Sequence, residues 1–81
     1  MRANVKVVGT GKRRKGVSAA GNSYDFTPVS IVFEDAETEG LRAETINIDQ
    51  SIISEFGIAA GQQCDMVFHF VKGRAYLDAV I

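Results

Sequence analysis

Three observations predict an all-β fold: short β-branched and aromatic runs at residues 4–8, 29–33 and 64–71, glycine-centred turns between them, and a single short stretch with helical spacing. The chain has 81 residues, enough for one domain. A domain of this size buries only about 60% of its unfolded surface, so stability gained by pairing with a second copy is a sensible expectation. Cys64 is the only cysteine, which rules out an internal disulfide or a thiolate metal cluster and fits a reducing compartment. No apolar run nears the roughly 20 residues of a membrane span, and the basic N-terminus leads into no secretory segment. A soluble, cytoplasmic protein is expected.

Taken in order, residues 4–8 (N-V-K-V-V) form a first strand that ends at the Gly9-Thr10-Gly11 breaker. Residues 12–18 and 23–26 are polar arms around Ala19-Ala20-Gly21-Asn22, which makes a hairpin. Its arms hold few large apolar side chains, so it should project from the body, spanning about residues 10–27. Residues 29–33 (V-S-I-V-F) are the clearest strand, with Pro28 tolerated at its start. An acidic turn covers residues 34–40. In residues 41–48, Leu41, Ala43, Thr45 and Asn47 alternate with Arg42, Glu44, Ile46 and Ile48, and the pattern resolves with Ile46 and Ile48 inward.

Asp49 is positioned to cap a short helix over residues 50–56, because its carboxylate can accept free N–H groups of the first turn. Ile52, Ile53 and Phe56 share a face of that helix, and Gly57 supplies the stop. Residues 64–81 form a closing hairpin turning at Lys72-Gly73-Arg74, with Met66, Phe68 and Phe70 on one face and Val67, His69 and Val71 on the other. Five strands with a helix between the third and fourth body elements predict a small five-stranded OB-like Greek-key barrel carrying a projecting basic hairpin, as one domain over residues 1–81. An SH3-like barrel is the nearest competitor.

Charge is distributed unevenly along the chain. Residues 1–24 carry Arg2, Lys6, Lys12, Arg13, Arg14 and Lys15 without an acid, a charge of +6; residues 25–65 carry −8, with Arg42 the single base; residues 66–81 carry +1 from Lys72, Arg74 and Asp78. The formal net charge of −1 conceals this dipole. The Gly9-Thr10-Gly11-Lys12 run lacks the glycine and hydroxyl that a phosphate-binding loop needs, and no βαβ unit follows to make a dinucleotide site. His69 in an apolar strand is expected to be structural, and Cys64, which opens a strand without a basic neighbour, a small hydrophobe. No catalytic residue, metal site or cofactor is predicted.

The run Lys12-Arg13-Arg14-Lys15 has two ordinary readings, a solvated loop and a basic targeting tag. Tyr24 and Phe26 tip the balance: at spacing two they share a strand face beside the cations, unless they pack down onto the barrel. Cations neutralise phosphates while rings stack on unpaired bases, which a duplex does not offer.

Residues 14–26, R-K-G-V-S-A-A-G-N-S-Y-D-F, resemble the DNA-binding wing of the gene V single-stranded DNA-binding proteins of filamentous phages. The likeness extends more weakly through Phe33-Glu34-Asp35, Ile46-Asn47-Ile48-Asp49, Ala60-Gly61 and Leu77-Asp78-Ala79-Val80. It implies a dimeric OB-like barrel that coats single-stranded phage genomes cooperatively and without sequence preference in the host cytoplasm. By position, Arg14 matches a wing arginine, Tyr24 the wing tyrosine and Phe26 the apolar residue two beyond it. Phe33 matches a stacking aromatic if one residue is deleted before it. Ala19, Asn22 and Ala79 depart from the pattern, since basic side chains can stand there in relatives; the Lys12–Lys15 run compensates.

The expected nucleic-acid contacts are Lys12, Arg13, Arg14, Lys15, Tyr24, Phe26, Phe33, Arg42, Lys72 and Arg74, and the expected partners are single-stranded DNA or RNA and a second copy bound through residues 64–81. Val67, Val71 and Tyr76 are the apolar surplus that motivates the dimer. The alternative is a small barrel for protein interaction or regulation.

Overall fold

Six strands and one helix follow in the order β1 (Arg2–Thr10), β2 (Arg14–Val17), β3 (Ser23–Glu34), β4 (Leu41–Asp49), α1 (Gln50–Phe56), β5 (Gln63–Val71) and β6 (Arg74–Val80), in a computed structural model that describes residues 1–81. All strands belong to one open antiparallel sheet, ordered β2-β3-β1-β5-β6 with β4 also on β3. The class is all-β, as expected, with six strands in place of five because the basic hairpin adds β2 to the ladder.

Phe26 pairs with both Arg14 of β2 and Asp49 of β4, so β2 and β4 flank β3 on opposite edges. β1 pairs with residues 29–32 of β3, which β4 also borders, and therefore shares the edge of β2. Strands β1 and β2 are thus one interrupted strand, and the basic hairpin is the far end of the long β1–β3 hairpin. Thr10 faces Val29 and Arg14 faces Phe26, so the β1–β2 side holds one extra residue between those rungs. Such a bulge bends the strand locally. Pro28 lies within β3 at this interruption, where a missing N–H removes little from the ladder, and its carbonyl accepts the Gly11 N–H at 2.7 Å. The first strand ends inside the Gly9-Thr10-Gly11 run, as expected: β1 takes in Gly9 and Thr10, with a register shift between Val7 and Gly9, and stops before Gly11.

Alternation decides what reaches the core. Val5 and Val7, then Val29, Ile31 and Phe33, Ile46 and Ile48, and Met66 and Phe68 point inward from their strands, joined by Ile58 and Ala75. Phe33 meets Phe68 edge-on at 5.1 Å between ring centroids, and Phe68 meets Phe70 at 5.7 Å. Side chains of this size each contribute about 1.5–3 kcal/mol on full burial. Tyr24, Phe26, Pro28, Ser30 and Val32 have the other parity in β3 and occupy the outer face.

Helix α1 spans the expected residues and packs Ile52 and Ile53 on the core, whereas Phe56 stays 40% exposed. Asp49 makes no side-chain capping bond: it is the last rung of β4, and its parity sends the carboxylate to the outer face. Gly57 ends the helix at φ 60°, ψ 41°, a conformation that penalises any Cβ, while its N–H bonds to the Ile53 carbonyl and Ile58 follows into the core. No helix is long and apolar enough to cross a membrane. Strands β4 and β6 run beside each other without a ladder, which leaves a seam in the curled sheet.

Candidate nucleic-acid interface

In the basic hairpin formed by β2 and the start of β3, called the wing from here on, cross-strand pairing puts Arg14 opposite Phe26 and Gly16 opposite Tyr24, all on one face. The Tyr24 ring lies across Gly16: a Cβ there would stand 2.7 Å from the Tyr24 Oη and 3.0 Å from Cζ. Phe26 buttresses the ring at 5.8 Å between centroids, tilted by 41°. Tyr24 is 42% exposed and Phe26 half-buried, so neither has packed down into the core. The wing tip is held by the Ser18 N–H to the Asn22 carbonyl at 2.8 Å and the Gly21 N–H to the Ser18 carbonyl at 2.9 Å.

On the reverse face Lys15 pairs across from Asp25, and Arg13 reaches the same carboxylate with Nε donating to Oδ1 at 2.7 Å. That hydrogen bond holds the Asp25 carboxyl below its ordinary range and raises the Arg13 guanidinium above its own. Arg13 is thus already neutralised, while Lys12, Arg14 and Lys15 have no ion-pair partner. Lys72 and Arg74 are likewise unpaired. Lys72 is the first residue of a two-residue hairpin turn and Arg74 directly follows it; Lys72 and Gly73 have φ of 52° and 77°, the left-handed pair such turns require.

Two expected contacts are placed elsewhere. Phe33 is 2% exposed and faces inward because it shares parity with Val29 and Ile31, so its ring offers no face to a base. Arg42 is bound by Asp35 at 2.9 Å and Glu44 at 3.0 Å, with its guanidinium 4.4 Å from the Phe70 ring centroid. Those contacts spend its charge within the body, and the Arg42 hydrogen bond keeps the Asp35 carboxyl below the usual range. The V-S-I-V-F parity already carried the Phe33 outcome; the Arg42 pairings depend on how the loop after β3 folds.

A further cluster lies outside the expected set. His69 lies in β5 on the face opposite Met66 and Phe68, as its alternation implied; it is exposed there, with Nδ1 2.9 Å and 3.0 Å from the two Asp78 carboxylate oxygens. Its ring stacks on Tyr76 at 5.6 Å and 21°, and Tyr76 is 43% exposed. Counting outward from the Lys72-Gly73 turn gives the His69–Tyr76 pair, so the sequence did hold this signal. Cys64 is half-buried opposite Val5, and burial, aided by the charge of Asp65, pushes its thiol pKa up. No family model, curated protein or solved structure matches the chain.

Proposed function

We propose that this protein binds single-stranded nucleic acid, gripping it with the wing and coating it without sequence preference in the manner of the gene V proteins its wing resembles. The observation that carries this reading is the Tyr24 ring, lying across Gly16 beside Phe26 and Arg14 on a hairpin whose Lys12 and Lys15 are also unpaired. Exposed rings stack on free base faces, each worth about 1–3 kcal/mol, while unpaired cations displace counterions from phosphates.

Connectivity supports the reading. With β2 taken as the extension of β1, the body strands run β4-β3-β1-β5-β6, and β6 lies beside β4, with α1 between β4 and β5. We read this order as that of a partly open OB barrel, with the wing as the loop between the first two strands and Lys72-Gly73 as the loop between the last two. Those loops, with the face of the second and third strands, are where OB folds take oligonucleotides.

Titration against single-stranded and duplex oligonucleotides at two salt concentrations tests the proposal. Lys12, Arg14, Lys15, Lys72 and Arg74 would each release about 0.7 counterion, which gives a slope of log K against log salt of roughly −3 to −4 per protomer. A flat salt dependence or a preference for duplex overturns it in favour of a protein-interaction barrel.

A further inference from the structure

The seam between β4 and β6 opens outward as a small cleft of about 190 Å³ lined by Thr45, Asn47, Arg74, Ala75 and Tyr76. Ligand pockets usually hold about 300–1,000 Å³, so this space is on the scale of a single planar group. Ala75 is buried and forms the floor. Tyr76 provides an aromatic wall, backed by the stacked His69 ring, which Asp78 fixes in turn. A ring restrained in this way loses little freedom on binding. Neither Thr45 nor Asn47 has a side-chain hydrogen-bond partner within the protein, and Arg74 has no ion pair. An aromatic wall, an amide able both to donate and to accept, and an unpaired guanidinium around one small space match a nucleotide: base face, base edge and phosphate.

The cleft also continues the wing surface. Asn47 pairs with Pro28 and Asp49 with Phe26, all on the outer face, so the cleft begins about 7 Å along β4 from the Phe26 rung. The exposed Asp49 carboxylate beside this path favours a base over a phosphate at that step. Resting on the single-strand reading above, we propose that the β4–β6 cleft is a second nucleotide subsite: one base stacks on Tyr76, Asn47 and Thr45 bond its edge, and Arg74 holds the adjoining phosphate. His69 and Asp78 are positioning residues behind the ring.

The chain has two tyrosines and no tryptophan, so each ring can be read alone by fluorescence. Tyr24→Phe leaves Tyr76 as the reporter and Tyr76→Phe leaves Tyr24, and both variants retain a stacking ring. Titrated with an oligothymidylate long enough to span the protomer, both should lose emission and saturate together. Tyr76→Ala should weaken binding about 5- to 150-fold with the salt slope unchanged, and Arg74→Ala should lower the slope by about 0.7. Emission lost only when Tyr24 reports, with affinity indifferent to Tyr76→Ala, overturns the subsite and leaves the wing reading standing. Failure of the unaltered protein to bind the oligonucleotide overturns both. If Tyr76→Ala fails to fold, the two phenylalanine variants decide the matter alone.

Discussion

Gly16 has no side chain, and the Tyr24 ring lies in the space one would fill. Two predictions follow at the scale of single residues. Tyr24→Ala should cost about 1–3 kcal/mol of single-strand binding with the melting temperature kept, as for an exposed stacking ring. Gly16→Ala should lower affinity in the same direction by tipping the ring off its seat, since the contact is with the far end of a side chain that can move, and Tyr24→Phe should be nearly neutral. Equilibrium binding and thermal melts of the three variants check this. Asp25 sets the second prediction: Asp25→Asn releases Arg13 and should both tighten binding and steepen the salt slope by about 0.7. Tyr24 and Phe26 were legible in the sequence because a spacing of two needs only a strand. The neutralisation of Arg13 was not, because Asp25 comes from another strand, and that of Arg42 was only half legible: Glu44 lies two residues along the same strand, but Asp35 comes from the loop after β3.

Among the elements, α1 was legible to the residue from its apolar spacing and its glycine stop, whereas its cap was not, since strand parity turned Asp49 away. Pro28 read locally as punctuation, yet it lies inside β3; the Gly9-Thr10-Gly11 run does interrupt the ladder, but the chain resumes along the same edge of β3 as β2. That outcome depends on non-local pairing, which a linear pattern does not hold. Strand fastening also sets the response to acid. Asp65 accepts Asn4 at 2.9 Å and Arg2 at 3.0 Å, tying β5 to β1, and these bonds hold its carboxyl below the ordinary range; Asp35 and Asp25 are lowered likewise by Arg42 and Arg13. A carboxyl depressed in the folded state stabilises fully above its unfolded pKa, about 3.9, and loses that contribution as pH falls through the folded value. Thermal melts should therefore be flat from neutrality to about pH 5 and decline below about pH 4, with the decline reduced in Asp65→Asn. Screening keeps the effect modest because these groups are near the surface.

For the whole molecule, the expected apolar surplus on the closing hairpin is interrupted by His69 and Asp78, so a two-fold contact is best centred at the hairpin base, where Val67 pairs with Ala79 and Ile81 is 60% exposed. Sedimentation at micromolar concentration should give a dimer, and Val67→Glu should return a monomer that still binds single strands more weakly through lost avidity. A monomer before any substitution rejects this contact.

The unladdered seam between β4 and β6 gives the sheet two lips. No backbone rung joins them, and the core side chains of Ile46, Ile48 and Ala75 close the gap from within. A strand lying over the seam would act as a suture, touching Asn47 on one lip and Tyr76 on the other. Amide protons of residues 41–49 and 74–80 would then exchange with solvent more slowly in the loaded protein, while those of β1 would keep their pace. The ligand would thus complete the wall it binds to.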